Sequence, residues 1–184
     1  MKTIGKSALP ALAATALLAF PAHGAGDKKG SLKQQVVGAW TMKSNVLDQG
    51  GTKTEPYGSD AKGSVILTSN GRVALVITRT DIPKFASNNR TTGTAEENKA
   101  AVAGSIAYFG TYTVNEPGKM LIMQLEGCSY PNWVGTEQKR TLELSGDELK
   151  FINQAPSMGQ GTITVTWKRV KEARTTASAA GPRP

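Results

Sequence analysis

The feature that most constrains this chain is a series of short segments in which apolar and polar residues alternate, separated by turn-forming dipeptides. Alternation with a period of two is typical of a β-strand with one buried face. The clearest pair of segments, residues 63–68 and 72–78, flanks Asn70-Gly71, a dipeptide that accepts the positive φ angles of a tight hairpin turn. The pattern therefore predicts a chain built mainly from β-hairpins.

Eight strands follow from this pattern, with one helix between the third and the fourth. Residues 94–103 supply Thr94 as an N-cap, Glu97 three residues later and several strong helix formers. In the first strand, the alternation predicts a shared face for Trp40, Met42, Ser44 and Val46. The predicted strands cover residues 36–46, 63–68, 72–78, 111–114, 120–125, 138–144, 149–153 and 161–167.

Eight short strands in hairpin succession favour an all-β fold, an eight-stranded antiparallel up-and-down barrel. Closing the sheet on itself removes the exposed edges that an open sheet would leave, and such a barrel has room for side chains or one small ligand. The alternative is a β-sandwich, whose crossings between sheets need longer connections. Only the connection over residues 81–108 is long, so the barrel is the preferred prediction.

The N-terminal residues have the composition of a secretory signal peptide. Lys2 and Lys6 precede an apolar run over residues 8–20, and small residues precede a cleavage position after Gly24. We expect a secreted or periplasmic protein, with no membrane-spanning segment in the mature chain because no apolar run reaches about 18 residues. The predicted organisation is a signal peptide over 1–24, a linker over 25–32, a barrel over 33–171 and a disordered tail over 172–184.

The content of reactive side chains excludes several classes of site. Cys128 is the single cysteine, so an internal disulfide or a thiolate zinc site is excluded. The single histidine, His23, lies within the predicted signal peptide, which leaves the mature chain without an imidazole for metal binding or a catalytic triad. No metal and no cofactor are predicted. Despite a net charge of +8, export and the lack of a basic surface with interleaved aromatic residues argue against nucleic acid as a partner.

Several motifs resemble those of a known family. Gly38-Ala39-Trp40 resembles the Gly-x-Trp of lipocalins, and Arg169 ends the last strand where a lipocalin supplies an Arg that stacks on that Trp. With residues 57–63, 107–112 and 131–138, the chain resembles the bacterial and fungal lipocalin-like domain family. The resemblance implies an eight-stranded barrel around a small-molecule cavity, with Trp40 and Arg169 closing one end.

The sequence departs from the family pattern at one strand. Typical members carry histidine in the strand before the Pro-Asn-Trp stretch, whereas this chain has Met123 and Gln124 there. Any role in the family that rests on that imidazole therefore does not carry over.

Arg140 is the most informative candidate for a ligand contact. It alternates with Gln138, Leu142 and Leu144 on a face that should point into the barrel, where an unpaired guanidinium is costly. Two interpretations stay open: a clamp for a ligand carboxylate, enolate or carbonyl group, or an internal ion pair with Glu126. The pattern does not decide whether Gln124 and Glu126 face inward.

These observations lead to one preferred function and two alternatives. The preferred function is an exported barrel that carries a small, largely apolar molecule with a polar or anionic end. One alternative is a cofactor-free isomerase, cyclase or lyase that uses Arg140, Glu126, Tyr108 and Asp81. The other is a barrel filled by its own side chains that acts in envelope interactions. The candidate ligand-binding residues are Tyr57, Tyr108, Tyr112, Gln124, Asn132, Trp133, Gln138 and Arg140.

Overall fold

The computed structural model of the protein describes residues 30–171. The predicted signal peptide, most of the linker and the predicted tail lie outside these residues. The elements are α1 (Leu32–Val36), β1 (Gly38–Gln49), β2 (Thr52–Thr54), β3 (Lys62–Leu67), β4 (Arg72–Thr78), α2 (Ala95–Ala103), β5 (Ser105–Asn115), β6 (Met120–Cys128), a 3₁₀ turn (Pro131–Trp133), β7 (Glu137–Ser145), β8 (Glu148–Asn153) and β9 (Thr162–Arg169).

The strands form the predicted barrel. Each of β3 to β8 pairs antiparallel with the next, β1 pairs with β3, and β1 also pairs with β9, which closes the sheet. The short strand β2 pairs with β1 and lies outside the closed ring. The prediction of an eight-stranded antiparallel up-and-down barrel is therefore confirmed.

The predicted helix also forms, between the third and fourth barrel strands. Thr94 caps α2: its Oγ1 accepts a hydrogen bond from Glu97 N at 3.2 Å, and Glu97 Oε2 accepts from Thr94 N at 2.8 Å. This reciprocal capping box is the signal that predicted the helix. No residue of α2 is buried, so the helix lies on the surface of the barrel.

The first strand differs from its prediction in two ways. Val36 ends helix α1 and does not begin a strand, because Ser31 and Gln34 form a capping box that starts the helix before it. Pairing of β1 with β9 is irregular between Met42 and Ser44, and such a bulge shifts the alternation by one residue. Asn45 is therefore buried on the inner face, at the point where the alternation in the sequence had placed Ser44.

One end of the barrel is closed by α1, Trp40 and Arg169. The Arg169 guanidinium lies 4.0 Å from the centroid of the Trp40 ring, and it donates hydrogen bonds to Val37 O at 2.9 Å and Gln35 O at 2.5 Å. Trp40 is fully buried, and its indole N–H donates to Val36 O. These contacts agree with the closing role that the resemblance implied.

Among residues 30–171, neither helix has the length and apolar character needed to span a membrane.

Candidate functional site

A cavity opens at the other end of the barrel. Its volume is about 50 Å³. The walls are mostly aliphatic and aromatic side chains from the inner faces of the strands. The lining residues are Tyr57, Leu75, Ile77, Ile106, Tyr108, Trp133, Arg140, Phe151, Asn153, Pro156, Ser157, Met158, Ile163, Val165 and Trp167.

Arg140 places a positive charge in this apolar wall. The residue is only 5% exposed, and the inward face predicted for it is confirmed. Its Nη1 donates to Lys139 O at 2.7 Å and lies 3.5 Å from Gln138 Oε1. Within residues 30–171, no carboxylate lies within 4.0 Å of the guanidinium. Arg140 is thus a buried cation without a protein counter-charge in the part of the chain that the structure describes.

The internal ion pair between Arg140 and Glu126 does not form. Glu126 is exposed on the outer face of β6, where its carboxylate binds the Arg72 guanidinium in a bidentate pair. That pairing lowers the pKa of the Glu126 carboxyl, since the hydrogen bonds from Arg72 favour the charged form. The ion-pair interpretation of Arg140 is therefore wrong, and the ligand clamp stays a prediction.

The local strand pairing explains the hydrogen bond that the Arg140 side chain makes to its own strand. The ladder between β7 and β8 ends at Thr141 opposite Ile152. Beyond this point Lys139 O lacks a partner from β8, and it accepts a hydrogen bond from the Arg140 side chain instead. A groove between residues 137–141 and 152–155 shares Trp133, Arg140 and Asn153 with the cavity lining. Arg140 therefore lies where the barrel wall opens.

Two tyrosines add phenol groups to the cavity. Tyr57 and Tyr108 are 4% and 6% exposed. Burial raises the pKa of both phenols, although the nearby Arg140 guanidinium opposes the shift at Tyr108. Both hydroxyl groups therefore stay protonated near neutral pH and can donate hydrogen bonds to a ligand.

A buried amide, Asn45, holds Tyr57 in place. Asn45 Oδ1 accepts a hydrogen bond from Tyr57 N at 3.0 Å, and its Nδ2 donates to Gly58 O at 2.9 Å. The bulge in β1 turns Asn45 inward, so the same irregularity that overturned the predicted face also positions a lining residue.

Trp133 forms an aromatic wall beside Arg140. Its ring centroid lies 5.4 Å from the guanidinium carbon of Arg140, and its plane is nearly perpendicular to the rings of Tyr108 and Tyr130. The 3₁₀ turn is fixed by Thr136, whose Oγ1 donates to Trp133 O at 2.8 Å and accepts from Gln138 Nε2 at 3.0 Å. Gln138 thus supports the positions of both Trp133 and Arg140.

The structure brings four predicted residues to the cavity wall: Tyr57, Tyr108, Trp133 and Arg140. Gln138 lies next to Arg140 and does not line the cavity itself. Tyr112 is buried away from the cavity lining, and its hydroxyl donates to Thr68 O at 2.8 Å. Asn132 is exposed in the 3₁₀ turn.

Gln124 and the two carboxylates considered for catalysis lie outside the barrel. Gln124 is exposed on the outer face of β6 and donates to Glu137 Oε2 at 3.1 Å. Asp81 forms an exposed ion pair with Arg79 at 2.5 Å. With Glu126 also outside, no Asp or Glu belongs to the cavity lining within residues 30–171.

Eleven of the fifteen lining residues were not among the predicted site residues, and they include Asn153, Trp167 and residues 156–158. Asn153 and Trp167 end the inward alternations of β8 and β9, so the period of two could have identified them. Residues 156–158, in the connection between β8 and β9, carry no periodic signal. Trp167 is fully buried, and its indole N–H has no hydrogen-bond partner among the residues that the structure describes.

The fold and the cavity define a class of protein: a closed antiparallel barrel that can hold a small, mostly apolar molecule. Residues 37–170 match the lipocalin-like domain family, and the chain belongs to that family. It is also similar to the 4'-hydroxy-3'-methoxypropiophenone carrier protein ppsC of Aspergillus oryzae, with 29% identity over 103 residues, which is 51% of this chain and 93% of the relative.

Proposed function

We propose that this protein binds and carries a small, largely apolar molecule that has a polar or anionic end. The single observation that carries the proposal is Arg140, which is 5% exposed, lines an apolar cavity and has no carboxylate partner in the described part of the chain. A buried guanidinium without a counter-charge is unfavourable, and a ligand carboxylate, enolate or carbonyl oxygen would relieve that cost.

The rest of the lining supports this ligand class. Tyr108 supplies a protonated phenol donor beside the cation, Tyr57 supplies another in the same lining, and Trp133 and Phe151 supply aromatic walls. The relative from Aspergillus oryzae is named as a carrier of an aromatic ketone, which combines an apolar ring with oxygen acceptors. We propose that this chain binds the same type of ligand, an aromatic molecule with an acceptor oxygen at one end. We also propose that it carries this ligand without converting it.

Replacement of Arg140 tests the proposal. We expect Arg140→Met to lower the affinity for 4-methoxybenzoate and for 4'-hydroxy-3'-methoxypropiophenone by about 1–3 kcal/mol, the contribution of a hydrogen bond to a charged group. Isothermal titration calorimetry at pH 7 measures both affinities. The matched control is Arg72→Met, which removes an exposed Arg on the outer face of the barrel and should leave both affinities unchanged.

Urea unfolding of the same variants separates binding from folding. Since Arg140 has no ion pair to lose among the described residues, Arg140→Met should be at least as stable as Arg72→Met. Full affinity in a folded Arg140→Met protein would contradict the clamp. Failure of the wild-type protein to bind either compound would contradict this ligand class.

We also propose that the barrel works outside the cytoplasm. The support is the sequence of residues 1–24, where two lysines precede an apolar run and a small-residue cleavage position. Fractionation of host cells should recover a mature protein whose N-terminal sequence begins at Ala25. An intact N-terminus on protein found in the cytoplasm would contradict this localisation.

A further inference from the structure

We propose that Asn153 binds the ligand together with Arg140, and that these two side chains select a carboxylate, with one of its oxygens for each donor. The inference rests on the proposed carrier function and narrows its ligand. Arg140 alone would accept a carboxylate, an enolate or a carbonyl oxygen, whereas the pair favours the first. The ligand class is then a monocarboxylate with an apolar or aromatic body.

The strand register places Asn153 opposite Arg140. The ladder between β7 and β8 ends at Thr141 opposite Ile152, so the next residue on each strand is Arg140 and Asn153. Each is 5% exposed and belongs to the inner face of its strand. Opposed residues of an antiparallel pair have Cβ atoms about 4.5–5.5 Å apart. The guanidinium also turns toward β8, because its Nη1 donates to Lys139 O on the edge of β7 that faces β8.

The amide of Asn153 has one satisfied atom and one free donor. Its Oδ1 accepts a hydrogen bond from Ala155 N at 3.0 Å, whereas its Nδ2 has no acceptor within residues 30–171. Nδ2 is not sealed in the protein either. Among the described residues, the indole nitrogen of Trp167 is the single buried side-chain N or O that is both inaccessible and without a partner. The Asn153 Nδ2 therefore keeps accessible surface that a ligand can reach.

Asn153 and Arg140 line the same two spaces, the cavity and the groove between residues 137–141 and 152–155. A carboxylate in the groove lining, that of Glu137, is exposed and bound to Lys139 Nζ at 3.0 Å, so it does not serve this pair. Buried donors in folded proteins are nearly always paired. Two adjacent, nearly buried side chains with donors left over therefore indicate an acceptor that comes from outside the chain.

A carboxylate matches these donors better than a ketone does. One carboxylate oxygen accepts from the Arg140 guanidinium and the other from the Asn153 amide, and both hydrogen bonds are strengthened by the negative charge. A methyl ketone of the same shape has one oxygen, so its methyl group would face the second donor and leave it unpaired. The site should therefore reject a ligand in which one oxygen is replaced by a methyl group.

The test compares 4-methoxybenzoate with 4'-methoxyacetophenone, in which a methyl group replaces one carboxylate oxygen. We expect Asn153→Leu to weaken 4-methoxybenzoate about 10-fold or more, the effect of one hydrogen bond to a charged group, and to change the affinity for the ketone less than about 2-fold. Calorimetry at pH 7 measures both affinities. The ratio of the two is the readout, because loss of the bond from Ala155 N would by itself weaken both ligands alike.

The matched control is Gln154→Leu, which removes a side-chain amide from the adjacent, exposed residue and should leave the ratio unchanged. Equal weakening of both ligands by Asn153→Leu, or no weakening of either, would overturn the inference and leave the proposed function standing. Tighter binding of the ketone than of the benzoate by the wild-type protein would do the same. Absence of binding for both compounds would overturn both proposals.

A spectroscopic measurement on the wild-type protein makes the test independent of the variant's folding. In ¹H–¹⁵N spectra, the side-chain amide resonances of Asn153, identified by sequential assignment, should lie further downfield with 4-methoxybenzoate than with 4'-methoxyacetophenone. The amide of Asn45 is the internal control, because its Nδ2 already donates to Gly58 O and should have the same position with both ligands. Identical Asn153 amide positions with both bound ligands would overturn the inference.

Discussion

Single polar residues inside the barrel decide the character of its cavity. Asn45 is 1% exposed, and its amide satisfies one backbone donor and one backbone acceptor in the segment that carries Tyr57. The phenol of Tyr57 is thereby held in the cavity wall, where burial disfavours its ionised form and raises its pKa. A charge-neutral donor then lies in the same wall as the Arg140 cation.

The raised pKa of Tyr57 predicts how stability depends on alkaline pH. Unfolded tyrosine ionises near pH 10.0, while Tyr57 in the folded barrel keeps its proton to higher pH. The folded state then binds more protons than the unfolded state, so the free energy of unfolding falls as pH rises above 10. Each such tyrosine lowers the free energy of unfolding by up to about 1.4 kcal/mol for each pH unit above 10 over which it alone keeps its proton in the folded state.

Urea unfolding between pH 8 and pH 11 measures this slope, with Tyr57→Phe as the comparison. The variant should lose stability less steeply than the wild-type protein above pH 10, with parallel curves below pH 9. Identical slopes throughout would contradict a buried, protonated Tyr57.

At the scale of elements, irregular strand pairing places side chains on faces that a regular alternation of inward and outward residues does not predict. The bulge between Met42 and Ser44 shifts β1 by one residue and turns Asn45 inward. A second irregularity, between Phe109 and Gly110, lies in the pairing of β5 with β6. At this point the two backbones approach so closely that any side chain on Gly110 would collide with the carbonyl oxygen of Gln124.

Gly110→Ala should therefore destabilise the barrel strongly. The added Cβ meets backbone atoms of β6, which cannot move without breaking the ladder, and we expect a loss of about 2–4 kcal/mol. Gly118→Ala is the matched control, because its Cβ would meet only the side chain of Asn115. Thermal unfolding followed by circular dichroism compares the two; equal melting temperatures would show that β5 and β6 can separate.

An Arg side chain lies on a Trp ring at each end of the barrel, and the two Arg side chains differ in their hydrogen-bond partners. Arg169 stacks on Trp40 at the closed end, donates to two backbone carbonyls and lies 3.7 Å from Asp147. Arg140 lies over Trp133 at the open end, with one backbone carbonyl and, within residues 30–171, no carboxylate partner. The first arginine is satisfied by the fold, and the second retains donors for a ligand.

This asymmetry predicts opposite effects for two similar substitutions. Arg169→Met should lower the free energy of unfolding by about 2–3 kcal/mol, because two carbonyl groups at the closed end lose a charged donor. Its affinity for 4-methoxybenzoate should match that of the wild-type protein, in contrast with Arg140→Met. Calorimetry and urea unfolding on both variants provide the comparison. A loss of affinity in folded Arg169→Met would mean that the closed end also shapes the cavity.

The accuracy of the sequence predictions depended on how local each signal was. The inward face of Gln138, Arg140 and Leu142 was predictable because β7 runs without a bulge, so alternation carries through. Helix α2 was predictable from Thr94 and Glu97, which are three residues apart. Helix α1 was missed because five residues are too few to show helical periodicity.

The sequence by itself determined the barrel, because strand alternation, turn dipeptides and a capping box are local and act within a few residues. Only the tertiary structure decided the site. Whether Arg140 meets Glu126 depends on which face of β6 turns inward, and whether the Trp167 indole finds a partner depends on strands far apart in sequence. Such outcomes are set by register and bulges, which arise when the whole sheet closes.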